Sequence, residues 1–168
     1  MIHAAMVNVI YNGDFYKLYA MSNAGIHFLE LEAPIFYFNK TASETELGEA
    51  VFNLLPYCKK IDALLFKQLI PKINEASKIR DADEMQKYGY SSRKKLYESN
   101  INCDVYFFKN KHQFEITPTH HDSMAGYSGI NKAFCINASS TEQEIGQAIK
   151  KGLRMCTAKS SLKLPEVF

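Results

Sequence analysis

The chain has 168 residues, of which 46% are apolar and 23% charged, and its formal net charge is +2. This composition excludes general disorder, and the length is typical of one domain, so we expect residues 1–168 to fold as a single domain. The near balance of 20 basic and 18 acidic side chains argues against a protein whose main task is to grip a nucleic-acid backbone. Because no apolar run approaches about 20 residues, we expect no membrane-spanning segment.

The start of the sequence, MIHAAMVNVIYNGDF, lacks the basic region and long apolar stretch of a secretory signal. We therefore expect a cytoplasmic protein with reduced thiols. Neither Cys-x-x-Cys nor zinc-finger spacing joins the four cysteines, which are Cys58, Cys103, Cys135 and Cys156. We expect neither a cofactor nor a structural metal.

The first predicted element is a hairpin. Asn12-Gly13 joins two alternating runs, residues 7–11 and 15–19, and this dipeptide is a strong signal for a tight hairpin turn. A short apolar strand follows at 35–39. Ser43, three residues before Glu46, then gives the capping-box pattern that begins a helix. The first half of the chain, about residues 5–58, therefore reads as strand, strand, loop, strand and helix.

Residues 59–102 form a more polar region that we predict to be a helical linker. Its first helix is predicted to stop at Pro71, because proline removes a backbone donor and clashes with the preceding turn. Either Ser91 or Ser92 can cap a short basic helix that begins at 93.

The second half repeats the first with a shift of 98 positions, and 8 of the 23 pairs aligned from Phe36 to Cys58 are identical. Thr141 repeats the helix cap, and Gly146 matches Gly48 inside the helix. A glycine inside a helix is unfavourable, so its presence in both copies predicts that each helix lies close to the sheet. We predict an α+β fold: a duplicated β-β-β-α unit, with repeat halves at about 5–58 and 103–156. Their strands should share a common or twofold-related antiparallel sheet with the helices packed on it, and a helical insertion should separate the halves.

Residues 116–129 are the least ordinary segment, and we interpret them as an ordered loop after a strand. His120, His121 and Asp122 could bind zinc or iron, or form a catalytic triad with Ser123. Adjacent histidines on a strand point to opposite faces, however, and no nucleophile elbow is present. The alternatives are a turn with a satisfied histidine and a loop that binds a partner.

The segment around residue 90 is rich in aromatic and basic side chains. Tyr88, Tyr90 and Arg93 could stack on nucleic-acid bases, but the same residue types are favoured at protein interfaces. The near-neutral charge favours a protein partner over nucleic acid.

Three segments together resemble a known family: YGYSSRKKLYESN, ITPTHHDSMAGYSG and STEQEIGQAIKKGL. Over about residues 35–156 the sequence resembles the immunity proteins of bacterial contact-dependent growth inhibition systems, the CdiI family. This resemblance implies a small cytosolic protein without enzymatic activity, which binds and neutralises the C-terminal toxin domain of a cognate CdiA effector. Toxins of these systems are often nucleases, including EndoU-like and RNase A-like RNases.

We therefore expect an inhibitor that covers its toxin's active site. The resemblance supplies no contact residues, so the expected toxin contacts rest on residue type and predicted loop position: Tyr88, Tyr90, Arg93, His120, His121, Asp122 and Tyr127. A basic nuclease would need a local acidic patch, for which Glu30 and Glu32, or Asp81, Asp83 and Glu84, are candidates. The alternatives are a small metal-dependent hydrolase or nuclease that uses His120, His121 and Asp122, and a nucleic-acid adaptor.

Overall fold

The computed structural model describes residues 4–123 and 126–167. The strands are β1 (Ala5–Tyr11), β2 (Phe15–Asn23), β3 (His27–Leu29), β4 (Ile35–Asn39), β5 (Ile101–Phe108), β6 (Gln113–Ser123), β7 (Gly126–Gly129), β8 (Phe134–Asn137) and β9 (Thr157–Ala158). The α-helices are α1 (Glu44–Leu54), α2 (Ala63–Tyr88), α3 (Arg93–Tyr97) and α4 (Glu142–Met155). The predicted α+β class is confirmed.

The two halves join edge to edge in one sheet. Strands β1 and β5 pair antiparallel from Ala5 and Phe107 to Tyr11 and Ile101, which places them at the centre of the order β3-β2-β1-β5-β6-β7. In addition, β4 pairs with β2, β8 pairs with β6, and β9 runs parallel to β6. The expectation of a common antiparallel sheet is therefore confirmed, with β9 as a short parallel addition.

Each half contains one more strand than the predicted β-β-β-α unit. The short strands β3 and β7 lie where the sequence suggested only a loop, since runs of three or four residues carry little periodic signal. The interpretation of 116–129 as a loop is also wrong, because β6 continues through Ser123. Its second half is paired with β7 and β9, which are partners that local sequence does not reveal. Met124 and Ala125 of this segment lie outside the described residues.

Helices α1 and α4 cover one face of the sheet. Both predicted capping boxes are present, at Ser43 with Glu46 and at Thr141 with Glu144. The buried side chains of both helices contribute to a single apolar cluster with the strands. The expectation for the two glycines is corrected: a Cβ on Gly48 would collide with the backbone of the other helix, so the close approach is between helices and not to the sheet.

The linker contains one helix of 26 residues where the sequence predicted a stop at Pro71. Pro71 has no backbone N–H, so the carbonyl of Lys67 loses its helical hydrogen bond. Both residues are exposed, so water can satisfy that carbonyl. Helix α2 instead ends at Gly89, which adopts the left-handed conformation with φ of 74°. Ser92 caps α3, as the sequence predicted.

The four cysteines are free thiols, and Cys103 and Cys156 are buried. Burial raises the pKa of both thiols, which keeps them protonated near neutral pH. Within the described residues, no helix combines the length and the apolar character that crossing a membrane requires.

Candidate functional site

The sheet has one apolar face and one polar face. On the face covered by α1 and α4, strand residues such as Val7 and Val105 are fully buried in the core. Neighbouring residues along each strand point to the opposite side, which we call the outer face. Four polar residues lie side by side across the outer face, one each from β2, β1, β5 and β6: Tyr19, Asn8, Asp104 and Thr117.

A buried ion pair joins α2 to the outer face. Lys17 Nζ lies 2.9 Å from both carboxylate oxygens of Glu84, and the Tyr37 hydroxyl donates to the same carboxylate at 2.7 Å. The side chains of Lys17 and Glu84 are each only 3% exposed. Burial lowers the pKa of Lys17, while the nearby Glu84 carboxylate opposes that shift. Because a charge left alone at this depth is costly, the pair fixes the C-terminal half of α2 over the sheet.

A second carboxylate on α2 holds α3. The Tyr97 hydroxyl donates to Asp81 at 2.7 Å, and Arg93 Nε lies 2.7 Å from the other carboxylate oxygen. Asp81 is 1% exposed, whereas half of the Arg93 side chain is exposed, so this pair lies between the interior and the surface. Arg80 lies 3.8 Å from Asp81 and 3.9 Å from Glu84. The basic side chains on this wall are thus largely paired within the chain.

The prediction that these acidic residues form exposed patches is wrong. Asp81 and Glu84 are buried, which leaves only Asp83 of that group exposed. Glu30 is also buried and accepts a hydrogen bond from the Ser22 hydroxyl. Glu32 is exposed but is paired with Lys59. Sequence alone could not reveal this, because Asp81, Glu84 and Glu32 are each paired with a basic residue distant in the chain.

An open cavity of about 470 Å³ lies between the outer face and the helices α2 and α3. Its floor includes Asn8, Asn102 and Asp104 from β1 and β5, and its helical wall includes Arg80 and Arg93. Both strands and helices therefore supply polar groups to one concave surface.

Asp104 lies on the cavity floor without a cationic partner. Asn8 donates to its carboxylate at 2.7 Å, and Asn102 donates at 3.5 Å. Burial raises the pKa of Asp104 to about 6, although the two hydrogen bonds act in the opposite direction. Among residues 4–123 and 126–167, no basic side chain lies within ion-pair distance of this carboxylate.

The two asparagines also present acceptors that have no donor. Asn8 and Asn102 are only 5% and 6% exposed, and the side-chain carbonyl oxygen of each lacks a hydrogen-bond partner. Buried polar atoms are nearly always paired in folded proteins. Both amide oxygens are themselves buried, so the half-buried Asp104 carboxylate is the group that the cavity floor offers to a donor.

Tyr88 and Tyr90 pack α2 against the first hairpin. The Tyr88 ring stacks on Phe15 with centroids 4.0 Å apart, and both tyrosines border a small apolar cluster. The Tyr90 hydroxyl donates to Asp14 and accepts from Asn12 at 3.0 Å. Both side chains remain half-buried, so each has a structural contact and an accessible part. Contact with a partner at these positions stays a prediction.

The adjacent histidines of β6 point to opposite faces. His121 is 1% exposed and stacks on Tyr127, its cross-strand partner, with centroids 4.8 Å apart. His120 is half-buried, and its Nδ1 lies 2.8 Å from the Thr157 hydroxyl, while its Nε2 lies 3.9 Å from Asp122. One metal ion could therefore not take both histidines as ligands. In the part of the chain that the structure describes, no three His, Cys, Asp or Glu side chains are grouped as metal ligands.

The seven expected contacts do not form one cluster. Arg93 and Tyr127 line the cavity, and His121 lies beneath Tyr127. Tyr88 and Tyr90 lie near the first hairpin, whereas His120 and Asp122 lie on the other face of β6. The residues of the cavity floor were not among the contacts predicted from the sequence. The alternation of Asn8, Asn102 and Asp104 with apolar neighbours was a usable signal, because such residues must face away from the apolar core.

Apolar side chains are also exposed along α2. Leu64 is 69% exposed and Ile79 is 54% exposed, and Leu65 and Ile70 are exposed to a lesser extent. Single exposed apolar residues are ordinary, but several along one helix are typical of a surface that contacts another protein.

The chain belongs to the CdiI family of CDI immunity proteins, whose family model matches residues 5–156. This match confirms the resemblance found in the sequence. No curated protein sequence matches the chain.

Two solved structures share the fold. One is a protein of unknown function from Neisseria meningitidis, with a TM-score of 0.82 and 16% identity over 92% of this chain and 96% of that one. The other is a chain of the CdiA-CT/CdiI toxin and immunity complex from Yersinia pseudotuberculosis, with a TM-score of 0.82 and 20% identity over 93% of this chain and 99% of that one. At these identities the likeness establishes the fold.

Proposed function

We propose that this chain is an immunity protein that binds and neutralises the C-terminal toxin domain of a cognate CdiA effector in the cytoplasm. The observation that carries the proposal is the family match over residues 5–156. The structural likeness to a chain of a toxin and immunity complex supports it. The chain would act by binding alone, with no catalytic step, cofactor or nucleic acid of its own.

The toxin would bind at the surface formed by α2, α3 and the open cavity. This surface combines exposed apolar side chains such as Leu64 and Ile79 with the polar cavity floor, a combination typical of protein interfaces. Tyr88, Tyr90, Arg93 and Tyr127 border this surface and are the proposed anchors. His121 would support the Tyr127 ring from below. His120 and Asp122 lie on the other face of β6, so they stay proposed toxin contacts outside this surface.

The proposed mechanism is occlusion of a nuclease active site, for example that of an EndoU-like or RNase A-like RNase. Such a toxin must bind phosphate, so its cleft is basic and concave. An interface of ordinary size buries on the order of 1,600 Å², which is enough to cover a cleft and exclude RNA. A rigid duplicated scaffold favours this mode, because little ordering is needed when the toxin binds.

The test uses the C-terminal toxin domain of the CdiA protein that we expect to be encoded beside this chain. Calorimetry should give a 1:1 complex, and production of this chain should restore growth to cells that make the toxin. A second CdiI-type protein from an unrelated locus is the control for specificity, and it should neither bind nor protect. Failure of the purified chain to bind the toxin encoded beside it would refute the proposal.

A further inference from the structure

We propose that the open cavity receives a basic side chain of the toxin, whose lysine ammonium or arginine guanidinium pairs with Asp104. This inference rests on the proposed function, since it names the chemistry of the toxin group that the outer face recognises. Asp104, Asn8 and Asn102 lie together because Asn8 is the register partner of Asp104 across β1 and β5, and Asn102 precedes Asp104 by two residues on the same face.

The floor of the cavity is arranged around one carboxylate. The amide nitrogens of Asn8 and Asn102 are directed to Asp104, which leaves their buried carbonyl oxygens without donors among the described residues. A buried acceptor without a partner destabilises a fold, so stability of the free protein does not account for this arrangement. A group that supplies N–H donors and a positive charge would satisfy the Asp104 carboxylate.

The wall opposite the floor does not already supply that group. Lys17 is paired with Glu84, and Arg93 is paired with Asp81. Arg80 lies beside the same two carboxylates, at 3.8 Å and 3.9 Å. The wall carboxylates Asp81 and Glu84 therefore engage Arg80, Arg93 and Lys17 of β2, whereas the Asp104 carboxylate has no such partner among the described residues.

The negative charge of Asp104 is suited to a toxin that binds RNA. A nuclease cleft uses lysine and arginine to hold phosphate, and Asp104, held by its two asparagines, would present carboxylate oxygens to the same side chain. The cavity would thus compete with RNA for one basic residue of the cleft. Lysine offers three donors and arginine five, so either can pair with the Asp104 carboxylate.

The decisive variant is Asp104→Asn, which keeps the shape and an acceptor for Asn8 but removes the charge. We expect calorimetry to show toxin binding weakened at least tenfold, while the melting temperature is not lowered. The matched control is Glu49→Gln, which removes a carboxylate from the exposed side of α1 on the other face of the sheet. The control should bind within twofold of the original chain.

A second measurement needs no substitution. The titration of the Asp104 carboxyl carbon can be followed by NMR in the free chain and in the complex. A cation beside a carboxylate lowers its pKa, so the midpoint should fall from near pH 6 to below about 5 when the toxin binds. An unchanged or higher midpoint in the complex would overturn the inference.

A free amine could supply the same positive charge and N–H donors to the cavity. Addition of n-butylamine hydrochloride, compared with sodium chloride at equal ionic strength, tests that source by melting temperature. Butylamine stabilisation that is lost in Asp104→Asn, together with unchanged toxin affinity in that variant, would assign the cavity to small amines and overturn the proposal. Weakened toxin affinity in Asp104→Asn supports it.

The outcomes also separate this inference from the proposed function. If the original chain binds its toxin and Asp104→Asn binds within twofold of it, only the cavity assignment fails. If the original chain does not bind the toxin at all, the proposed function itself fails.

Discussion

Gly48 in α1 lies so close to Glu142 in α4 that a Cβ on the glycine would be 1.8 Å from the carbonyl oxygen of Glu142. The relationship is reciprocal, since a Cβ on Gly146 would lie 1.8 Å from the carbonyl oxygen of Glu44. The two copies of the repeat therefore contact each other through equivalent glycines near the starts of their helices. This contact explains why both copies contain a residue that weakens a helix.

We predict that Gly146→Ala lowers the free energy of unfolding by more than about 2 kcal/mol, because the helices must separate to admit the methyl group. Alanine's better helix propensity would offset only about 1 kcal/mol of this cost. Urea denaturation provides the measurement, and Glu49→Ala on the exposed side of α1 is the control, with an expected change within about 0.5 kcal/mol. A stabilised Gly146→Ala variant would show that the close approach is absent.

The buried ion pair of Lys17 and Glu84 leads to a second prediction. Lys17→Met leaves the Glu84 carboxylate, at 3% exposure, with Arg80 at 3.9 Å as its remaining cation, which should cost about 3 kcal/mol of unfolding free energy. The exposed pair of Lys95 and Glu98 is the control, and Lys95→Ala should cost less than about 1 kcal/mol. Equal effects of the two substitutions in chemical denaturation would mean that the Lys17 pair does not hold α2.

The raised pKa of Asp104 predicts how stability depends on pH. The folded chain has a pKa of about 6 at Asp104 against an ordinary value of 3.8, so the ionised carboxylate destabilises the fold at neutral pH. Asp104→Asn should therefore raise the unfolding free energy by up to about 2 kcal/mol at pH 7. As the pH falls from 7 to 4, the folded chain takes up the proton first, and the difference between the two proteins should disappear. A variant that is less stable at pH 7 would contradict this assignment.

The tyrosines at the end of α2 give a prediction about affinity. The double variant Tyr88→Ala, Tyr90→Ala should fold but lose more than about 1.4 kcal/mol of toxin affinity, a factor of ten. Because Tyr88 stacks on Phe15, the variant should also melt at a lower temperature, so binding must be measured where circular dichroism shows a folded chain. Tyr90→Phe, which keeps the ring, is the control. Unchanged affinity of the double variant would remove both tyrosines from the interface.

Local sequence signals predicted most elements of the fold. Asn12-Gly13, the caps at Ser43 and Thr141, and the cap at Ser92 depend on residues within a few positions of each other, and each is found in the structure. The predicted helix end at Pro71 was wrong, because a proline in an exposed helix can be tolerated when water reaches the carbonyl it leaves unpaired.

The candidate site was harder to predict, because it depends on pairing between distant strands. The Asn8 and Asp104 side chains are 96 positions apart and meet only because β1 pairs with β5. Likewise, Asp81 and Glu84 read as exposed charges on a helix until Arg93 and Lys17 are brought to them. Residue type could suggest Arg93 and Tyr127, but it could not place them at one cavity.

The most direct test of the central claim is a titration of the toxin's activity with the purified chain. The cognate CdiA toxin domain is incubated with cellular RNA, and cleavage is followed as the chain is added. We predict that cleavage falls linearly and stops at one equivalent, because the bound chain covers the active site. Continued RNA cleavage by a toxin that calorimetry shows to be saturated with the chain would contradict the account.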